Sequence, residues 1–389
     1  MEMERSNTYG FQKVFGDLKT NIRSYTMVIA LIIIWCILGV LTKGVFFLPR
    51  NLSMLVRQTA GTGIMTLGML LIVITGGIDL SAGSAMGLLG GIAACCQVWY
   101  GMSVGATILT VVLCGVLIGA WHGFWIAYMK VPAFVATLGS QLALRGVLLG
   151  ITKSVTIAPM SDAFKMIGQG YISTAASWLT ALVFSAVAVG LIIKGRGAKA
   201  RYGFEVPNWS VVGVECVMVT GLTLAFVFIL LKYQGIPIPV LLMLALAAVI
   251  VFVMNKTRFG RSVYALGCNR EASDLAGLNT RRVEFLVYVL EAVFCGIAGV
   301  ILTARLNAGA SSAGESAEMD AIAACVIGGA SLSGGVGTVV GAVIGALVMT
   351  SLDNGMSLLN TENFWQYIIK GMILLAAVCV DILTKRKGR

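Results

Sequence analysis

Long apolar runs separated by short polar stretches constrain this chain more than any other feature. Runs of about twenty apolar residues can cross a bilayer as helices. We assign ten of them to about residues 25–42, 54–75, 84–100, 104–128, 133–151, 176–193, 210–231, 240–254, 284–303 and 364–382. Residues 320–352 contain a short half-helix followed by a longer helix. The sequence therefore predicts an all-α polytopic membrane protein of about twelve transmembrane helices.

The distribution of positive charge predicts how the chain is oriented. The net charge is +11, and most of the 28 Lys and Arg residues fall in alternate loops and at the two ends. Such a bias marks the cytoplasmic side. The membrane topology of the chain therefore explains its positive charge, and no nucleic-acid partner is expected. We predict a cytoplasmic segment at 1–24, one transmembrane domain over 25–382 and a cytoplasmic tail at 383–389.

Missing motifs indicate that the chain is a transport protein rather than an enzyme. It contains no G-x-x-x-x-G-K-[ST] motif, so it does not hydrolyse nucleotide with a P-loop. No catalytic Ser/His/Asp or metal-ligand cluster is visible, a single His makes most such arrangements impossible, and the nine Cys form no CxxC pair. We expect no catalytic residue, no metal and no cofactor on this chain.

A basic loop at about 255–282 separates two apolar runs. Its central sequence, REASDLAGL, can form about two helical turns that begin near Asn269 and end at Gly277. Such a helix would carry Ala272, Leu275 and Ala276 on one small apolar face. One interpretation is a knob that docks into another protein. The alternative is a solvated loop whose charges hold it in the cytoplasm.

Two polar interruptions at similar places in the two halves suggest an internal pseudo-repeat. Asp79 lies in GGIDLSAGSAMGLLGGIAACC, and Asp320 lies in AEMDAIAACVIGGASLSGG. Repeat-built transporters line their pathways with Gly-interrupted segments of this kind. The alternative is that each Asp caps a helix N-terminus, and both readings are compatible.

Other ionisable residues in apolar runs leave further functions open. Arg57 and Arg145 are expected to reach the membrane surface, and His122 is expected to be a core residue. An ion-coupled secondary carrier would need a group that changes charge in the membrane, and Asp79, Asp320 and His122 are its candidates. A passive channel would need a ring of charge or of carbonyls, which the sequence does not show.

Several motifs resemble the permeases of ABC importers for monosaccharides, the ribose/xylose/galactose class. They are RFGRSVYALGCNREASDLAGLN, TGGIDLSAGS, EMDAIAACVIGGASLSGGVGTVVGAVIGAL and, near the end, LDNGMSLL and FWQYIIKG. The resemblance covers about residues 50–385. Cys268 stands where the family usually has Gly, and Ala276 stands where Ser is common, but both residues remain small.

The resemblance also suggests which branch of the family this chain is similar to. Shorter members have about ten spans, whereas this chain carries an extra two-span hairpin at about 171–232. The longer form looks most like permeases for D-xylose, the expected sugar. Permeases for multiple monosaccharides (arabinose, galactose, glucose) share the hairpin and are the alternative.

The resemblance implies partners and site residues. The expected partners are a cytoplasmic ATP-binding subunit that holds ATP and Mg, an extracytoplasmic sugar-binding protein, a second copy of this chain and the lipid of a bacterial inner membrane. Contact with the ATPase would fall to the coupling loop at 255–282, through Gly267, Asn269, Arg270, Glu271, Ala272, Asp274, Leu275 and Gly277. The translocation pathway or its gates would use Asn51, Gln58, Asp79, Ser81 and Asp320.

Overall fold

The computed structural model describes residues 22–203, 206 and 208–386. Within them the chain forms α-helices and no β-strand, as the all-α prediction requires. Nearly all of the predicted cytoplasmic segment 1–24 and the last residues of the predicted tail 383–389 lie outside the described residues.

Fifteen α-helices follow one another in the described part of the chain. They are α1 (Ile22–Leu41), α2 (Pro49–Ile74), α3 (Ala82–Ala94), α4 (Val104–Gly123), α5 (Ala133–Thr152), α6 (Asp162–Gln169), α7 (Thr174–Arg201), α8 (Trp209–Leu231), α9 (Ile238–Lys256), α10 (Arg258–Cys268), α11 (Arg270–Leu275), α12 (Thr280–Leu306), α13 (Ala317–Ile327), α14 (Val339–Leu358) and α15 (Asn363–Arg386). A π-helical turn extends α3 to Trp99, and another extends α4 to Tyr128.

Among the described residues, ten helices are long and apolar enough to cross a membrane. They coincide with ten of the twelve predicted segments. The first segment corresponds to α1, whose apolar part is Met27–Leu41. The predicted half-helix corresponds to α13, which has 11 residues and is about 16 Å long. Helix α13 alone is too short for a hydrocarbon core of about 30 Å, so it is the helical part of a crossing that runs from Gly309, bonded to Ile157, to Gly335, bonded to Ile74.

The core of the bundle consists of α2, α3, α12 and α14. These four helices are mostly buried, whereas α4, α5, α7, α8 and α15 expose most of their apolar surface. Exposed apolar faces of this kind suit a lipid environment, where only helices with internally satisfied backbone groups are stable. The core therefore lies behind a rim of helices that face outward.

Two of the short helices begin inside the bundle and meet there. A Cβ atom built on Gly83, at the start of α3, would lie 2.1 Å from Glu318 Oε2 and 2.4 Å from the carbonyl oxygen of Gly314, just before α13. Only glycine allows this approach, because any larger residue would overlap the neighbouring backbone. The Gly-interrupted segments singled out in the sequence thus place two helix N-termini side by side.

The predicted inserted hairpin leaves and rejoins the bundle at one place. Its helices α7 and α8 pack mainly against each other. At their base the backbone N–H of Ile172 donates to the carbonyl of Ile236 at 3.1 Å, and Ile238 N–H donates to Gly170 at 2.9 Å. The rest of the bundle therefore connects across the base of the hairpin.

Two helices lie where the sequence predicted only loops. Ser161 caps α6 by accepting a hydrogen bond from Phe164 N–H at 3.3 Å, and Thr257 caps α10 by accepting one from Gly260 N–H at 3.2 Å. The α10 side chains of Val263 and Leu266 are buried. The basic loop between α9 and α12 is thus a structured segment rather than a flexible connection.

Candidate functional site

The short helix predicted in the basic loop is present as α11. Its N-cap is Asn269, whose Oδ1 accepts a hydrogen bond from Ala272 N–H at 2.9 Å. Its C-terminus closes with the N–H of Gly277 bonded to Asp274 and that of Leu278 bonded to Ser273. Gly277 has a φ of 80°, the left-handed conformation that glycine supplies at a helix end. The helix start and stop agree with the sequence prediction.

The outer face of α11 is open to solvent. Leu275 is 89% exposed, and Ala272 and Ala276 are also exposed. The acidic side chains of Glu271 and Asp274 lie on the same exposed helix. A two-turn helix that exposes a large apolar side chain at its end has the shape of a docking knob.

The inner side of α11 is fixed to the start of α12. Arg270 donates two hydrogen bonds to Glu284, from Nη1 to Oε1 at 3.0 Å and from Nη2 to Oε2 at 2.6 Å. These bonds raise the pKa of Arg270 above its ordinary value, so the guanidinium stays charged. Asp274 accepts a hydrogen bond from the hydroxyl of Thr280 at 2.5 Å. Two side-chain contacts therefore fix α11 to α12.

The preceding helix, α10, packs on the end of α2. A Cβ atom on Gly267 would lie 1.8 Å from the carbonyl oxygen of Ile74 and 2.6 Å from the backbone N of Gly335. The Tyr264 hydroxyl donates to the carbonyl of Gly337 at 2.8 Å. Helix α10 is therefore in direct contact with α2 and with the loop between α13 and α14.

A cavity lies among α2, α3, α12 and α13; most of its wall is apolar, and we name it the polar cavity for the charged side chains that enter it. The side chains and backbone that line it are Arg57, Gln58, Gly61, Thr62, Met65, Met86, Ala298, Ile301, Leu302, Arg305, Ala317 and Asp320. Two of the predicted pathway residues, Gln58 and Asp320, therefore lie in one cavity although they are far apart in the sequence. The wall offers guanidinium and amide donors together with a carboxylate, which are groups that hydrogen-bond hydroxyls.

Asp320 also belongs to an ion-pair group that joins α13, α14 and α15. The Lys370 Nζ atom lies 2.9 Å from Asp320 Oδ2 and 2.9 Å from Asp353 Oδ1. Lys370 is 19% exposed and Asp320 is 13% exposed. A charge within a membrane bundle is stable when it is paired in this way. Asp320 lies in the first turn of α13, where the helix dipole also favours a carboxylate.

The predicted residues Asp79 and Ser81 are not in the cavity but in a buried turn before α3. Asp79 Oδ1 accepts two hydrogen bonds from Ser81, from the backbone N–H at 2.6 Å and from the hydroxyl at 2.6 Å. Neither residue is exposed to solvent. Asp79 therefore holds the turn that leads into α3, but it does not cap that helix, because Ser81 is the N-cap residue and no side chain among the described residues accepts a hydrogen bond from the first turn.

Asn51, the last predicted pathway residue, pairs with Asn354 on α14. The two amides exchange hydrogen bonds of 2.9 and 3.0 Å, and Asn51 also donates to the carbonyl of Phe46 at 2.9 Å. Both side chains are buried. The pair joins α2 to α14 and does not line the cavity.

Arg57 and Arg145 are placed differently from the expectation that they reach the membrane surface. Arg57 lines the cavity, and its guanidinium donates to the hydroxyl of Tyr171 and stacks 4.8 Å from that ring. Arg145 donates to the carbonyls of Ser311 and Ala313 at 3.2 and 2.8 Å. Both charges are drawn inward because the structure offers them acceptors there.

Sequence reasoning missed three groups that the structure brings together. Arg305 follows the predicted span at 284–303 in the sequence, but it lies at the end of α12 and lines the cavity. Lys370 and Glu291 lie in apolar runs: Lys370 pairs with Asp320 and Asp353 on two other helices, and Glu291 accepts a hydrogen bond from Cys295 on its own helix. An isolated charge within an apolar run was the available signal.

Comparison with known proteins places these features in a family. Residues 51–378 match the family model described as "Branched-chain amino acid transport system / permease component". The chain is 45% identical to the xylose transport system permease protein XylH of Escherichia coli K12, over 96% of this chain and 95% of that protein. The XylH protein of Haemophilus influenzae is also 45% identical, over 96% of this chain and all of its own length.

A second group of relatives is more distant. The ribose import permease protein RbsC of Escherichia coli K12 is 33% identical, over 91% of this chain and 92% of its own length. No solved structure gave a significant match to the chain.

Proposed function

The chain belongs to the permease family that includes the xylose and ribose permease proteins, and we propose that it carries D-xylose across the bacterial inner membrane as the permease subunit of an ABC importer. The observation that carries the proposal is 45% identity to the XylH proteins over 96% of the chain. The ten apolar helices agree with a multi-pass membrane protein.

In this proposal the energy comes from a separate cytoplasmic subunit that binds ATP and Mg. An extracytoplasmic binding protein delivers the sugar, and two copies of this chain form the pathway. The end of the bundle that carries α10 and α11 faces the cytoplasm together with both termini, because the basic residues concentrate there.

The cavity supplies the chemistry that a sugar requires. Arg57, Arg305 and Gln58 present N–H donors, and Asp320 presents carboxylate oxygens. A sugar hydroxyl can therefore accept a hydrogen bond from the first three residues or donate one to Asp320. Apolar side chains such as Met65 and Ile301 line the remaining wall. The four helices α2, α3, α12 and α13 contribute to the cavity, so a relative movement of those helices changes its shape.

The coupling loop at 255–282 supplies the mechanical connection between the ATPase and the cavity. The exposed face of α11 docks on the ATPase, and the Arg270–Glu284 pair transmits its movement to α12. The packing of Gly267 against Ile74 transmits the movement of α10 to α2. Because α2 and α12 both line the cavity, closure of the ATPase reshapes the sugar site directly.

The experiment that tests this proposal measures ATP-driven uptake of radiolabelled D-xylose into proteoliposomes. They contain this chain, its ATPase and its binding protein, with ATP on the α11 side. Gln58→Leu is expected to lower uptake about two- to tenfold, since one hydrogen bond contributes about 0.5–1.5 kcal/mol.

The matched control is Met65→Leu, which changes an apolar side chain on the same wall of the cavity. It should leave uptake unchanged, because a volume-conserving apolar exchange is tolerated. Equal uptake by wild type and Gln58→Leu would remove the cavity from the pathway. Uptake that does not require ATP would contradict the proposed function as a whole.

A further inference from the structure

A cluster of buried ionisable side chains lies where α3, α4 and α12 meet. Asp79 precedes α3, His122 lies in the last turn of α4, and Glu291 lies in the middle of α12. Asp79 and Glu291 are 0% exposed and His122 is 1% exposed. None of them lines the polar cavity. The transport mechanism described above assigns no role to His122 or Glu291.

His122 connects the two carboxyl groups. Its Nδ1 lies 3.7 Å from Asp79 Oδ2, and its ring packs edge-on against Tyr288 at 6.4 Å between ring centres, one turn before Glu291 on α12, so the two buried carboxyl groups are neighbours. On Asp79, Oδ1 accepts both hydrogen bonds from Ser81. Oδ2 is left without a hydrogen-bond donor among the described residues. On Glu291, Oε1 accepts from the thiol of Cys295 at 2.8 Å, which leaves Oε2 without one. Each carboxyl group thus has one unsatisfied buried oxygen.

Two neighbouring carboxyl groups in a buried site cannot both be ionised. Neighbouring carboxylates repel each other, and burial removes the water that would screen them, so one of the two retains a proton. A proton between them turns two unsatisfied acceptors into a donor and an acceptor, which meets the requirement for buried polar atoms. We propose that Asp79 and Glu291 form a proton-binding site, in which Glu291 carries the proton and donates it to Asp79.

The hydrogen bonds around Asp79 decide which carboxyl group is the anion. Asp79 receives a backbone N–H and a hydroxyl, both donors that stabilise a negative charge. His122 Nδ1 lies 3.7 Å from Asp79 Oδ2, while its Nε2 lies 3.3 Å from the Ser81 hydroxyl. Glu291 receives only the weak thiol donor. The proton therefore belongs to Glu291.

Other titratable and charged groups face this site from the surrounding helices. They are Tyr288, Cys295 and Glu284 on α12, Glu318 on α13 and, through Glu284, Arg270 on α11. Arg270 is already bonded to Glu284. Among the described residues, no group of three His, Cys, Asp or Glu has the geometry of a metal site. A proton is thus the ligand that fits.

The site has a consequence for movement within the bundle. The shared proton joins the turn before α3 to α12. Helix α12 in turn follows directly after α11 of the coupling loop. Loss of the proton would leave two adjacent carboxylates that push this turn and α12 apart. A conformational change that exposes the site to water is therefore expected to release a proton.

The test is infrared spectroscopy of the purified full-length chain, with and without glutamate labelled with ¹³C at the carboxyl carbon. At neutral pH the wild type should show the C=O stretch of a protonated carboxylic acid, and the label should shift that band. Glu291→Gln should remove the label-sensitive band, because the amide keeps the shape and donates an N–H to Asp79 instead.

Glu318→Gln is the matched control, since Glu318 is a buried glutamate on α13 that accepts a hydrogen bond from Gln141 at 3.3 Å. The Glu291 band should persist in it. If the wild type shows no label-sensitive acid band, or if Glu318→Gln removes the entire band, the proposal is wrong. The wild-type spectrum decides the matter even if Glu291→Gln does not fold.

A second readout uses the pH dependence of thermal stability. The folded chain would hold a proton that an exposed Glu, with a pKa of about 4.3, gives up at neutral pH. This contribution to stability falls as the pH rises. The melting temperature of the wild type should fall more than that of Glu291→Gln from neutral to alkaline pH. Parallel curves would contradict the proposal.

Discussion

Arg270 and Glu284 form a two-bonded ion pair that fastens the short exposed helix α11 to the start of α12. The two N···O distances are 3.0 and 2.6 Å, and the pair joins the proposed docking knob directly to a helix that lines the polar cavity, alongside the Thr280–Asp274 hydrogen bond. Bidentate guanidinium–carboxylate pairs have a fixed geometry as well as a favourable energy. The pair can therefore transmit direction as well as force.

We predict that Arg270→Gln lowers sugar uptake per ATP hydrolysed by the complex. The fold should be retained, because a partly exposed ion pair contributes only about 1 kcal/mol or less to stability. The exchange Arg270→Glu with Glu284→Arg should restore part of the coupling. Uptake and hydrolysis measured in the same proteoliposomes give the ratio. An unchanged ratio in Arg270→Gln would show that the pair is not needed for transmission.

Leu275 is predicted to be an anchor for the ATPase. Replacement with Glu should prevent formation of the complex, because a charge would enter an apolar pocket of the partner. The free energy of unfolding of the isolated chain should change by no more than about 0.5 kcal/mol, since Leu275 is 89% exposed. Co-purification with the ATPase measures complex formation.

The matched control is Val155→Glu, which places a charge at another exposed apolar residue, 54% exposed, between α5 and α6. This variant should co-purify normally. If Leu275→Glu also co-purifies normally, α11 is not the docking knob and serves only as a solvated basic loop.

Gly267→Ala should disturb the contact between α10 and α2. The added Cβ atom would lie 1.8 Å from the carbonyl oxygen of Ile74, so the backbone of one element must move. We expect a loss of about 1–3 kcal/mol of stability and a lower ratio of uptake to hydrolysis. Cys268→Ala, at the exposed neighbour, should have neither effect. Wild-type stability and coupling in Gly267→Ala would refute the close packing of α10.

Gly83→Ala should destabilise the place where α3 and α13 meet. Its Cβ atom would overlap Glu318 Oε2 and the carbonyl of Gly314. Overpacking of this kind lowers stability by about 1–3 kcal/mol. Gly139→Ala is the control, because a Cβ on that α5 residue has open space and alanine favours a helix by about 0.5–1 kcal/mol. In thermal unfolding in detergent, the melting temperature of Gly83→Ala should lie below that of the wild type and the melting temperature of Gly139→Ala above it.

The apolar runs predicted most of the fold because a spanning helix is specified locally. The predicted span at 104–128 coincides with α4 and its π-helical turn, Val104–Tyr128. The start of α11 at Asn269 was also predictable, since a capping side chain acts within three residues. Both signals depend on neighbours in the sequence.

Contacts between distant residues could not be predicted in this way. Asn51 bonds to Asn354, and His122 Nδ1 lies 3.7 Å from Asp79 Oδ2, although no local pattern connects either pair. The helix α10 was read as loop because its polar residues mask the buried Val263 and Leu266. Of the predicted pathway residues, Gln58 and Asp320 share a cavity, whereas Asn51, Asp79 and Ser81 form structural contacts elsewhere.

The most direct test of the central claim is sugar-stimulated ATP hydrolysis in liposomes that contain this chain, its ATPase and its binding protein. Xylose, ribose, arabinose, galactose and glucose are compared under the same conditions. The account predicts stimulation by xylose and little by the other four. A similar response to several sugars would contradict the xylose assignment and favour a permease for multiple monosaccharides. Failure to assemble with any ATPase would contradict the claim that the chain is an ABC permease.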